Sequence, residues 1–266
     1  MTETQINAIV EAVLASLPAR EEAVTHAVPV EASARHAHLT QEAVEKLFGA
    51  GAALTKKRAL SQPGEFLSEQ RVKIVTTGGE IDNVAVLGPV RAAVQAEIST
   101  TDACALGIAA PIRLSGDLRG AADVVLIGPR GAYEAPGSAI VAQAHVHMTP
   151  ADARKFSVSD GQSLRVRVGG ARAVTFENVA ARVNDRFALA MHIDFDEANA
   201  CGLKPGDTGY CTIGNAQCTV IDDKLITEDR AKSLIAQGHL ALRKGTIITP
   251  AARDVFTQAK TIIEFV

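Results

Sequence analysis

The chain has 266 residues, 47% of them hydrophobic and 21% charged, with a net charge of −3. That balance is ordinary for a globular protein and gives enough chain for one large core or two small ones. With no basic excess, no Trp and 4% aromatic residues, it lacks both the field and the stacking platforms of nucleic-acid binders.

No apolar run approaches the roughly 20 residues that span a bilayer. The opening text MTETQINAIVEAVLASLPAR has neither the basic n-region nor the unbroken apolar stretch of a secretory signal. Cys104, Cys201, Cys211 and Cys218 show no zinc or disulfide spacing, so a reduced cytosolic setting is expected.

Ile6, Ile9, Val10, Val13, Leu14 and Leu17 make one apolar stripe, which predicts an amphipathic helix within residues 1–20. Pro18 and a polar run follow, so residues 21–27 read as a linker. Two readings stay open: a helix packed on its own domain, or a detachable peptide that docks on a partner.

From Val28 to Gly214 the text is mostly short alternating strands. RVKIVTTGGEIDNVAVLG and SLRVRVGGARAVTFENVAARV both read as strand, glycine turn, strand. Helical text is limited to pieces such as Gln41–Phe48 and Pro150–Phe156. The expected fold is mainly β with short helices: two tandem similar β-barrels, residues 28–125 and 126–221, with exchange of segments between them allowed. Residues 222–266 read as a C-terminal α/β extension. It holds a helix over Glu228–Ala236 stopped by Gly238, a second helix capped by Thr249 with Pro250 next, and a strand in TIIEFV.

The most informative feature is a repeat. His36-Ala37-His38-Leu39-Thr40 is echoed by His145-Val146-His147-Met148-Thr149, an offset of 109. Residues two apart on a strand face one side, so each histidine pair can converge on a point. Thr40 and Thr149 can cap the helices that follow, with Asp152 placed as a capping-box acid.

Residues 83–108 align with 178–203 at an offset of 95, with nine identities, among them Asn83/Asn178, Arg91/Arg186 and Gly107/Gly202. The change from 109 to 95 puts 14 extra residues in the first half, around AGAALTKKRALSQPG. In this register Glu97 stands opposite His192. The halves then offer His36, His38 and Glu97, and His145, His147 and His192. Imidazole and carboxylate suit zinc or a similar divalent ion, and three protein ligands leave coordination positions open for catalysis.

His26 and His239 lie outside the repeat and read as surface residues. Arg91 would share a face with Glu97 if the segment were extended. Its guanidinium suits a phosphate or carboxylate, with a structural ion pair as the alternative. Cys104 reads as a small buried thiol rather than a nucleophile.

SARHAHLT, NVAVLGPVR, AEISTTDACALGI, AQAHVHMTPADA and MHIDFDEANACGL together resemble the propanediol-utilisation type phosphotransacylases (phosphate propanoyltransferases) of bacterial microcompartments. The resemblance runs from about Val28 to Cys218. It implies two β-barrels with a dimetal zinc site at their junction, and the reaction of a short-chain acyl-CoA with phosphate to give acyl phosphate and CoA.

By the same resemblance, His36, His38 and Glu97 hold one zinc ion and His145, His147 and His192 the other. Arg91 holds phosphate, and Ser33, Leu87 and Asn199 lie near coenzyme A. LITEDRAKSLIAQG and GTIITPAARDVFTQ are similar to a segment of ethanolamine-type microcompartment proteins. The N-terminal helix is similar to encapsulation peptides that recruit enzymes to a shell. These likenesses imply shell or core-enzyme partners and a place inside a microcompartment of the bacterial cytoplasm. A homo-oligomer is left open. A dimetal hydrolase and a non-catalytic compartment scaffold are the alternative functions.

Overall fold

A computed structural model describes residues 25–212, 219–235, 239–259 and 261–265. The helix expected in residues 1–20 lies outside them, as do linker residues 21–24 and Gly214, Cys218, Ala236 and Gly238.

Two six-stranded barrels are formed. The second closes in the order β1 (Thr25–Ala32), β13 (Ala190–Ile193), β10 (His145–Met148), β12 (Val174–Val183), β11 (Ser163–Val168) and β14 (Thr208–Thr212), which returns to β1. The first runs β9 (Ala132–Ala142), β6 (Gln95–Ile98), β2 (His36–His38), β5 (Glu80–Gly88), β4 (Phe66–Val75) and β8 (Ala122–Ile127), which returns to β9. Strand for strand, β6, β2, β5, β4 and β8 hold the places of β13, β10, β12, β11 and β14.

The sixth place is exchanged. β9 leads into β10 yet belongs to the first barrel, and β1 leads into β2 yet belongs to the second. Each His-x-His strand is therefore preceded in the chain by a strand of the other barrel. Thr25, His26 and Ala27, at the end of the expected linker, are paired with Thr212, Cys211 and Tyr210. His26 stacks on Phe156, ring centroids 4.4 Å apart.

Alternation builds the two cores. In SLRVRV of β11 every second residue is buried, so Leu164, Val166 and Val168 face inward and Arg165 and Arg167 face out. Val72, Ile74, Val84, Val86, Leu126 and Ile98 fill the first barrel in the same way. Asn83 and Asn178 both take the left-handed region, at φ 57 and 58. Asparagine tolerates that conformation better than other side chains, so the repeat extends to a backbone irregularity in each barrel.

Short helices close the ends of the ligand-bearing strands. α1 (Gln41–Phe48) follows β2, α2 (Thr100–Leu106) follows β6, α3 (Pro150–Lys155) follows β10 and α4 (Phe195–Cys201) follows β13. Thr40, Ser99, Thr149 and Asp194 cap them, the last three in capping boxes. Each cap fixes where its strand stops and hence where the ligand side chains point.

The text peculiar to the first half forms β3 (Lys56–Ala59), which pairs with β4, and a turn beyond it. Gln62 of that turn exchanges two hydrogen bonds with Ala188, Nε2–H to the carbonyl at 3.0 Å and backbone N–H to Oε1 at 3.1 Å, tying the insertion to the second barrel. β7 (Ile112–Arg113) adds to the outer side of β9.

The C-terminal extension has its own core of Ile226, Leu234, Leu240, Leu242, Phe256 and neighbours. A parallel three-stranded sheet of β15 (Thr219–Ile221), β17 (His239–Leu242) and β19 (Ile262–Phe265) stands beside a parallel pair, β16 (Leu225–Ile226) and β18 (Ile247–Ile248). Its helices are α5 (Glu228–Leu234) and α6 (Pro250–Gln258). Thr249 caps α6 through its side chain, with Pro250 at the first position.

Candidate active site

A cavity of about 810 Å3 is lined by residues of both barrels, within the range of small-molecule and cofactor sites. The two three-residue groups face it. In the first barrel His36 stands opposite Glu97 across the β2–β6 pair. In the second His145 stands opposite His192 across β10–β13. The offsets of 109 and 95 thus meet in one register, because His36 is also beside Ala85 and His145 beside Ala180.

Within each group the ligand-capable atoms all lie within 4.8 Å of one another. Glu97 Oε1 is 3.6 Å from Nε2 of both His36 and His38. Two donors held at 2.0–2.1 Å by one tetrahedral ion are about 3.4 Å apart, so this spacing suits a shared cation.

The hydrogen bonds repeat as well. His36 Nδ1–H donates to the Ala34 carbonyl and His145 Nδ1–H to the Gln143 carbonyl, both at 2.8 Å. Each bond leaves Nε2 with its lone pair free, as a metal-ligating imidazole requires. Buried Nδ1 of His38, Nδ1 of His147 and Nε2 of His192 make no hydrogen bond, although Glu31 Oε2 lies 3.4 Å from the last. A buried ring nitrogen without a hydrogen bond costs free energy unless something binds it. Those of His147 and His192 fit a cation in the second cluster, while in the first the Nε2 atoms of His36 and His38 are the ones that face Glu97.

Burial holds His38 and His145 down to about 4, and lowers His147 further. Burial opposes ionisation of Glu97, but the charge and hydrogen bonds of His36 and His38 outweigh it and hold the carboxyl well below its usual range. At neutral pH His38, His145 and His147 therefore offer free lone pairs beside an ionised Glu97, whereas at His36 burial is outweighed by the charge and hydrogen bond of Glu97, which raise its pKa.

Arg91 lies in the loop between β5 and β6, not on an extended strand, and lines the cavity from there. Its Nη2–H donates to Glu65 Oε1 at 2.9 Å and its Nη1–H to Ser115 Oγ at 3.0 Å. Gln95 Nε2 joins the same network, donating to Glu97 Oε1 at 2.6 Å and to Ser115 Oγ at 3.0 Å. Arg91 is thus coupled to the first cluster through Ser115 and Gln95.

Ser33 and Leu87 line the cavity. Asn199 is exposed on α4 and does not line it. Cys104 is exposed on α2 rather than buried, because that helix turns Asp102, Ala103 and Leu106 inward.

Several residues at or beside the cavity escape a reading by motif. Gln95, buried behind it, stands opposite His38, so strand alternation from Glu97 could have found it. Arg182 stands opposite His147 and is the offset-95 counterpart of Leu87. Glu31 stands opposite His192, its Oε2 3.4 Å from Nε2 and hydrogen-bonded by Ser61 at 2.5 Å. It gives no local signal, because β1 is an exchanged strand.

Two barrels bring two ligand clusters and several arginines to one cavity, and the relatives of this chain are acyltransferases. The chain belongs to the phosphate propanoyltransferase family, whose pattern matches residues 29–204. It is similar to the phosphate propanoyltransferase of Alkaliphilus metalliredigens, 45% identical over 209 residues, 79% of this chain and 98% of that one. It is also similar to those of Clostridioides difficile (47% over 204 residues, 77% and 95%) and Listeria monocytogenes (48% over 182 residues, 68% and 85%). The matched residues hold all six cluster residues and leave out 222–266. No described helix is long and apolar enough to cross a membrane.

Proposed function

We propose that this chain converts a short-chain acyl-CoA, propanoyl-CoA or acetyl-CoA, and phosphate to acyl phosphate and CoA at two zinc ions. One ion belongs to His36, His38 and Glu97, the other to His145, His147 and His192. The observation that carries this reading is the meeting of two repeat-related ligand clusters on one cavity. Zinc bound there would supply Lewis-acid polarisation of the thioester carbonyl and charge stabilisation for the departing thiolate.

The chain's own residues do the rest. Arg91 binds phosphate in place of one of its present partners and holds an oxygen near the thioester carbon, which turns a poor nucleophile into a positioned one. That oxygen bonds to the carbonyl carbon as the carbon–sulfur bond breaks, so no acyl-enzyme is needed. Ser33 and Leu87 border the coenzyme A side of the cavity, and Asn199 on α4 contacts coenzyme A beyond it.

The likeness of residues 1–20 to encapsulation peptides supports a place inside a microcompartment, with shell or core enzymes as partners. Deleting them should abolish recruitment and leave turnover intact. The reaction is tested by mixing propanoyl-CoA, phosphate and protein and following free thiol. Phosphate-dependent release is the expected result. Phosphate-independent release would make the chain a hydrolase, and no release a scaffold. Arg91→Ala should lose most of the rate, and a variant with wild-type turnover would refute the role given to Arg91.

A further inference from the structure

Arg182 lines the cavity beside the second cluster. It pairs with His147 across β10–β12, and its guanidinium stands 5.6 Å over the ring of Phe187. That ring packs on His147 at 4.3 Å. The stack fixes the guanidinium against the cavity wall, because a planar cation on an aromatic face loses little freedom on binding a ligand.

Among the described residues no carboxylate comes within 4.0 Å of Arg182, whereas Arg91 is held by Glu65 at 2.9 Å. A half-buried cation without a paired carboxylate loses hydration that the Phe187 face and more distant charges offset only in part. Burial accordingly lowers its pKa, with Glu97 offsetting part of the effect and Arg91 adding to it.

The ligand sets of the two clusters also differ in charge. The first includes the Glu97 carboxylate, and the second is three imidazoles, with Arg182 beside His147 and Glu31 beside His192. The counterpart of Arg182 in the first barrel is Leu87, so the charge is a departure from the repeat.

We propose that Arg182 is a second clamp for the phosphate co-substrate and binds it on the second-barrel side of the cavity, opposite the hold of Arg91. A tetrahedral dianion supplies the counter-charge that Arg182 lacks, and two guanidiniums can orient it more tightly than one. The inference rests on the phosphotransacylase reading. Coenzyme A also carries phosphates, so the test must separate the two sources.

The experiment measures KM for phosphate and for propanoyl-CoA with the metal-loaded full chain, in wild type, Arg182→Gln and Arg182→Lys. Arg167→Gln, an outward arginine of β11, is the control. It also measures the rise in Tm caused by inorganic phosphate alone. Arg182→Gln should raise KM for phosphate at least about tenfold, the loss of one charge-assisted hydrogen bond, with KM for propanoyl-CoA unchanged. Its phosphate-induced rise in Tm should need about ten times more phosphate to reach the same size, while its Tm without phosphate is no lower than that of wild type. Arg182→Lys should recover part of the phosphate affinity, since it keeps charge but not the fork, and it carries the test if the glutamine variant does not fold.

An unchanged KM for phosphate in an active variant, or a rise confined to propanoyl-CoA, overturns the inference. A wild-type chain that releases CoA without phosphate overturns the function instead, and the phosphate-induced Tm shift then still reports on Arg182.

Discussion

Val28 and Val30 lie just ahead of the first His-x-His in the chain, yet their side chains are 0% and 4% exposed in the core of the second barrel. Replacing both with alanine tests the strand exchange. Each change deletes two buried carbons, worth about 1.6 kcal/mol at about 0.8 kcal/mol per methylene. Incomplete closure of the cavity raises this to about 2 kcal/mol each. The pair shares one core and need not add fully, so about 4 kcal/mol is the ceiling.

Native-state hydrogen exchange read on separate peptides is the assay. Amides of Leu164–Val168 and Thr208–Cys211 should lose between two and three orders of magnitude of protection, the equivalent of about 4 kcal/mol. Amides of Val124–Leu126 in the first barrel should lose much less. The same loss confined to the first barrel would refute the exchange, because contiguous halves place these valines there. The functional consequence is specific: β1 also carries the Glu31↔His192 pairing, so the variant should weaken the second cluster before the first.

Two further outcomes are expected. Burial pushes Glu197, the capping-box acid of α4, up to about 7. Its folded pKa lies above the ordinary 4.5, so the stability tied to its neutral form is fully present below pH 4.5 and lost as pH rises through 7. Urea midpoints should show that loss in wild type and not in Glu197→Gln; equal slopes would contradict it. Gly79→Ala would drive a Cβ into the Ala105 carbonyl at the end of α2, which should cost about 1–3 kcal/mol in urea unfolding. Gly169→Ala meets open space and should stay within about 0.5 kcal/mol.

The ligand clusters are legible in the sequence because their pieces are local. His36 and His38 share a strand face by alternation alone, and the second offset brings Glu97 into line with His192. The caps at Thr40, Thr149 and Thr249 are legible for the same reason: each side chain answers a backbone N–H a few residues on.

The exchange of β1 and β9 is not, because strand partners are chosen by packing across the whole barrel. The residues of THAVPVEA and AYEAPGSAIVA carry no mark of which barrel they join. Glu31 is hidden by the same cause, since its neighbour His192 is far away in the chain. Arg182 is hidden differently. Its motif counterpart is a leucine, so a search for what repeats passes over the residue that breaks the repeat. The expectation for Cys104 failed on helix phase: its neighbours Ala103 and Leu106 take the inward face of α2.

Two metal ions serving one reaction are the centre of the proposed chemistry. The most direct measurement is a zinc titration of the chelated full chain, with phosphate-dependent CoA release and bound metal followed together. The rate should reach its plateau at two equivalents per chain, and His38→Ala and His147→Ala should each bind one equivalent and stay inactive. Full activity at one equivalent, or with no metal at all, would contradict it.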